Sequence, residues 1–173
     1  MQRIIRAADL VATPWKNSGG LTREIASYDA GGALHWRLSI ADVDKDGPFS
    51  GFPGLSRILT VIEGHGMDLH TPTETLAARP LQPLGFAGDV PVQGALRDGP
   101  VRNFNLIYDA NHVIPTVTVL NASQQLPDGP LALHCLTGKA QVGESSLIAG
   151  DTMLTHDGAL GLTDQTQIIC VTL

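Results

Sequence analysis

Proline places the tightest limit on what this chain can fold into. Between Pro48 and Pro130 proline punctuates nearly every stretch. Little room remains for a helix of about 10–12 residues, because proline removes a backbone donor and its ring clashes with the preceding turn. Nineteen glycines join the eleven prolines without a Gly-X-Y period, so the excess of turn formers predicts many short elements. The segments between turns read as strands: 21–26, 35–41, 57–62, 67–70, 75–76, 101–107, 116–120, 131–136, 140–142 and 168–173. Only 7–12 and 123–126 are candidates for short helices. The pattern predicts an all-β sandwich or barrel.

Two stretches read as variants of one unit. Ile58 to Gly66 is followed by Ala87-Gly88-Asp89, and Ala132 to Lys139 by Ala149-Gly150-Asp151. A strand, a glycine turn and a later Gly-Asp turn is the rhythm of a cupin jelly roll, so the repetition predicts two jelly rolls in one compact unit. The approximate halves are 1–110 and 111–173, with N-terminal strands available to complete the second.

With 173 residues the chain can bury a sizeable core. Its formal charge of -6 includes no basic cluster, so the counterion release that drives nucleic-acid binding has no source. No apolar run is long enough to cross a membrane, and the first residues do not read as a signal peptide. A cytoplasmic protein with two reduced thiols, Cys135 and Cys170, is the expectation. A homodimer is left open.

The candidate chemistry sits in three polar strand faces. Period-2 alternation puts Thr22 and Glu24 on one face with Arg23 and Ile25 on the other, and sets Arg37 and Ser39 opposite Trp36, Leu38 and Ile40. Asn103 and Asn105 share a face opposite Phe104; asparagine is a poor strand former, so the pair calls for an outward edge or a ligand. With Lys16 and Asn17 these side chains suit a small carboxylate, because a guanidinium matches one bidentately. Polar faces that merely meet solvent are the plain alternative. His65 and His70 lie five apart and would point to opposite faces of a continuous strand, so no metal and no cofactor is expected.

Pro14-Trp15-Lys16-Asn17, Thr22-Arg23-Glu24-Ile25, Trp36-Arg37-Leu38-Ser39-Ile40-Ala41, Asp46-Gly47-Pro48-Phe49-Ser50, Phe52-Pro53-Gly54, Phe86-Ala87-Gly88 and Asn103-Phe104-Asn105-Leu106 together resemble the HutD/Ves family. The resemblance implies a bicupin fold. It also implies a non-catalytic regulator of histidine utilisation that binds an intermediate such as formylglutamate or formiminoglutamate; Ves relatives are linked to stress responses. On that reading Arg37 and Lys16 neutralise carboxylates, Asn17, Ser39, Asn103 and Asn105 orient the ligand beside Glu24, and Trp15, Phe49 and Phe104 wall the pocket. Two positions depart from the family pattern: Ser18 replaces a glycine and Asn103 replaces an aspartate. Serine is tolerated at 18 unless its φ is positive. The competing readings are a metal-independent isomerase or hydrolase with Glu24 as general base, and a protein partner bound at β edges.

Overall fold

The computed structural model describes residues 2–173. In chain order the strands are β1 (Arg3–Ile5), β2 (Ala12–Pro14), β3 (Gly20–Ala30), β4 (Ala33–Val43), β5 (Gly47–Pro48), β6 (Ser56–Glu63), β7 (Met67–His70), β8 (Thr75–Ala78), β9 (Leu84–Ala87), β10 (Gln93–Leu96) and β11 (Val101–Tyr108). They continue as β12 (Thr116–Leu120), β13 (Gln124–Gln125), β14 (Leu131–Thr137), β15 (Lys139–Val142), β16 (Ser145–Ile148), β17 (Thr152–Thr155), β18 (Ala159–Leu162) and β19 (Gln167–Thr172). The one helical piece among the described residues is a 3-10 turn at Ala7–Asp9. No helix there is long and apolar enough to cross a membrane. The expected helix at 123–126 is instead β13, pinned by the N–H of Leu162 donating to Ser123 Oγ at 2.8 Å and that of Leu126 to the Gly158 carbonyl at 3.0 Å. The strands β1, β2, β5, β9, β10, β16, β17 and β18 lie outside the segments that the local pattern marks; β9, β10 and β18 each carry a glycine that weakens strand propensity.

The chain divides into two compact units, Val11–Val113 and a smaller one joining the N-terminal segment through Leu10 to Ile114–Leu173. The larger unit holds a six-stranded sheet, β2-β3-β4-β11-β6-β9, and a four-stranded sheet, β5-β10-β7-β8. The smaller holds β1-β17-β14-β19-β12 and β13-β18-β15-β16. The pairings repeat: β6 lies between β9 and β11 as β14 lies between β17 and β19, and β7 between β8 and β10 as β15 between β16 and β18. β4 flanks β11 as β12 flanks β19. Each unit is a jelly roll, and the fold is the cupin-type double jelly roll.

The Ala-Gly-Asp triplets, however, are not equivalent. Ala149-Gly150-Asp151 joins β16 to β17, whereas Ala87-Gly88-Asp89 begins at the last residue of β9, the counterpart of β17. Their glycines differ too: Gly150 has φ 91°, while Gly88 is needed because a Cβ there would meet the carbonyl oxygens of Phe52 and Leu55. The duplication lives in the pairing order.

The interior of the smaller unit is filled with apolar groups, including Leu131, Leu133, Leu147, Met153 and Ile168 with the free, buried Cys135 and Cys170. Burial, then the charge of Asp151, pushes the Cys135 thiol up to about 11. In the larger unit Leu59, Val61, Met67, Leu69 and Val92 form the core with Phe49 and Phe86 against it. The remaining interior is open.

Candidate functional site

Strand register decides which side chains meet in that opening. Across the six-stranded sheet, one row runs Thr13, Thr22, Ala41, Asn103 and Val61; the next runs Glu24, Ser39, Asn105 and Leu59; the third sets Arg37, Ile107 and Arg57 side by side. With Trp15, Phe49, Ser50 and Phe52 from the flanking segments these side chains, apart from Val61 and Leu59 in the core, line a cavity of about 350 Å³. Two bulges aim the wall: Ile25 is the extra residue in β3 beside Glu24, and the β6–β11 register shifts between Arg102 and Asn103.

Charge in the cavity is predominantly positive. Arg57, 8% exposed, lies over the rings of Phe86, Phe52 and Phe49 at 5.0, 5.1 and 5.7 Å and donates to the Ser50 carbonyl at 3.2 Å. Arg37 also lies over the Phe52 ring, 5.1 Å from its centroid. Burial, then the charge of Arg37, pushes the Arg57 guanidinium down to about 10. Neither arginine has an ion-pair partner among the described residues, and the Nε of each is buried without a hydrogen bond. Arginines elsewhere behave differently. On the other face of the same sheet Arg23 and Arg102 clasp Asp42 at 2.7 and 2.5 Å; burial opposes the ionisation of Asp42, and the two arginines outweigh it and hold its carboxyl below 3.8.

Arg37 does not pair with Glu24, whose carboxylate accepts from Ser27 Oγ at 3.0 Å at the exposed mouth of the cavity. Asn103 is completely buried, and neither its Oδ1 nor its Nδ2 has a partner. Trp15 Nε1 donates to Thr22 Oγ1 at 2.8 Å and its ring meets Phe49 edge-on, which fixes this wall.

Of the residues singled out by sequence, Trp15, Glu24, Arg37, Ser39, Phe49, Asn103 and Asn105 line the cavity together. Three do not. Lys16 is exposed on the turn before β3. Asn17 serves that turn, accepting from the Gly19 N–H at 2.9 Å and reaching the Pro48 carbonyl at 3.4 Å. Phe104 is buried on the opposite face, beside Ile40 and Thr60, as its alternation with Asn103 and Asn105 requires. Arg57 and Phe52 were missed as site residues. The signal for Arg57 was present: it falls in phase with Leu59 and Val61, an arginine on an otherwise apolar face.

The model of the family described as HutD matches residues 7–171. The chain belongs to the HutD family. It is 36% identical over 148 residues to protein Ves of Escherichia fergusonii, covering 83% of this chain and 78% of that protein. It is 45% identical over 112 residues to an uncharacterized 21.2 kDa protein in the hutC 3' region of Pseudomonas putida. That match covers 61% of this chain and spans 57% of the relative's length. The structure of HutD from Pseudomonas fluorescens SBW25 superposes with a TM-score of 0.89 at 33% identity, covering 99% of this chain and 98% of that one.

Proposed function

We propose that this protein is a cytoplasmic, HutD-type regulatory binder whose cavity takes a small dicarboxylate of histidine utilisation, such as formylglutamate or formiminoglutamate, without transforming it. The observation that carries this reading is the pair Arg37 and Arg57 on one row of the wall, held by aromatic rings and lacking any carboxylate of the chain's own. An unpaired buried cation is costly, and a ligand carboxylate accepting from its free N–H groups removes the cost. The relative in a hutC 3' region supports the pathway.

The test is thermal unfolding with each compound. At about 100 Kd a ligand specific for the native state adds about 2.7 kcal/mol, a Tm rise of roughly 5–10 °C for a chain of this size. Arg37→Ala is expected to abolish the rise, and Arg37→Lys to restore only part of it, because a point charge cannot make two parallel hydrogen bonds. An undiminished rise in Arg37→Ala removes Arg37 from the site, and no rise in the wild type with either compound sinks the reading. Consumption of either compound, lost in Glu24→Gln, would replace it with the enzymatic one.

A further inference from the structure

The row at the far end of the cavity from the arginines carries its own message. Asn103 stands on β11, an interior strand of the six-stranded sheet, so it cannot be an outward edge residue. Its cross-strand neighbours are Ala41 and Val61, which offer no polar side-chain atom. Beyond Ala41 comes Thr22, whose hydroxyl is already engaged by Trp15. The carboxamide of Asn103 is therefore buried in a wall with a donor and an acceptor both unused, where native proteins almost always satisfy such groups.

The chemistry of that vacant pair is selective. A carboxylate facing Asn103 can accept from Nδ2 but leaves Oδ1 opposed by another acceptor. An amidinium or ammonium can donate to Oδ1 but leaves Nδ2 opposed by another donor. A neutral amide carries both a C=O acceptor and an N–H donor on opposite edges, so whichever edge it turns to Asn103 meets a complementary atom. Asn103 lies four residues along β11 from Ile107 in the arginine row, roughly 13 Å at about 3.3 Å per residue, a gap shortened from one end by the reach of the arginine side chains. The remaining gap suits a short chain with an anion at one end and an amide at the other.

We propose that Asn103 is the residue that selects the ligand: it reads a neutral amide carried by the anion that Arg37 and Arg57 hold, and it disfavours a cationic group at the same place. This rests on the carboxylate reading above. Glu24, the one acidic side chain on the wall, offers a competing route to selectivity, since it attracts a cation from the mouth of the cavity.

Isothermal titration with three probes separates these possibilities: N-formylglutamate, with a neutral amide; N-formiminoglutamate, with a cationic amidine; and glutarate, with neither. The wild type is expected to bind N-formylglutamate at least about tenfold more tightly than either of the others, the discrimination that satisfying a buried hydrogen-bonding group supports. In Asn103→Ala the ratio of N-formylglutamate to glutarate affinity should fall toward one. In Asn103→Asp the order of the formyl and formimino compounds should reverse, and Glu24→Gln should preserve the wild-type order. Equal wild-type affinities for N-formylglutamate and glutarate overturn the proposal even if no variant folds, as does a preference unmoved by Asn103→Ala. If glutarate binds in an Arg37-dependent way but no amide preference exists, only this inference fails. If none of the three binds, the carboxylate reading fails with it.

Discussion

A buried polar group without a partner destabilises the fold that contains it, and in this molecule three such groups face one cavity: the Nε atoms of Arg37 and Arg57 and the carboxamide of Asn103. The cost gives a direct prediction. Asn103→Val keeps a β-former of moderate size on β11 and removes a donor and an acceptor that are otherwise buried unpaired. The variant is expected to be more stable than the wild type in the absence of ligand by about 1–3 kcal/mol, read as a Tm several degrees higher, while losing ligand-induced stabilisation. A lower Tm in the variant, with the fold intact by circular dichroism, would show that Asn103 supports the fold and not a ligand.

At the scale of elements, the turn joining β2 to β3 decides how Trp15 and the start of β3 reach the cavity. Its N–H of Ser18 donates to the Trp15 carbonyl at 3.1 Å, and its N–H of Trp15 to the Gly20 carbonyl at 2.9 Å. Ser18 closes it with φ 55°, in the left-handed region that a Cβ disfavours. Ser18→Gly is therefore expected to stabilise the protein by about 1 kcal/mol, a rise of roughly 2–4 °C in Tm; glycine's extra unfolded-state freedom offsets part of the relieved strain. Denaturant unfolding that shows a loss instead would mean the hydroxyl does more for the turn than its backbone costs. Gly20 in the same turn has no such latitude, since a Cβ would run into the Asp42 carbonyl oxygen across the β3–β4 pair. The sequence reading of this segment as a tight turn with close backbone approach holds, whereas its assignment of Lys16 and Asn17 to a ligand does not match where those side chains lie.

For the molecule as a whole, acid stability follows from carboxylates that are held ionised. Burial resists ionisation of Asp151, but Arg6 at 2.6 Å and the N–H groups of Ile148 and Ala7 outweigh it and keep its carboxyl below 3.8. A carboxylate whose folded pKa lies below its unfolded value stabilises fully above the unfolded value, and that contribution disappears as pH falls through the folded one. Asp42 acts in the same direction. Tm is thus expected to fall below about pH 4, and Asp151→Ala to cost about 1–3 kcal/mol at neutral pH, with the difference from wild type narrowing in acid. A pH-independent difference would assign the loss to packing. Arg6 is half exposed, so added salt should weaken only its share.

The amino-acid sequence by itself determined that the chain is all-β and which side chains share a strand face, because proline and glycine spacing and a period of two are local properties of the backbone. It placed Arg37 with Ser39, and Asn103 with Asn105, on the faces they occupy. Local pattern could not say which strands are neighbours. That Arg57 stands across Ile107 from Arg37, that Asn103 lies between Ala41 and Val61, and that these side chains meet around a cavity in the larger jelly roll were decided by the tertiary structure. The physical reason is that register between strands distant in sequence is set by the summed packing of both sheets, which no single segment encodes.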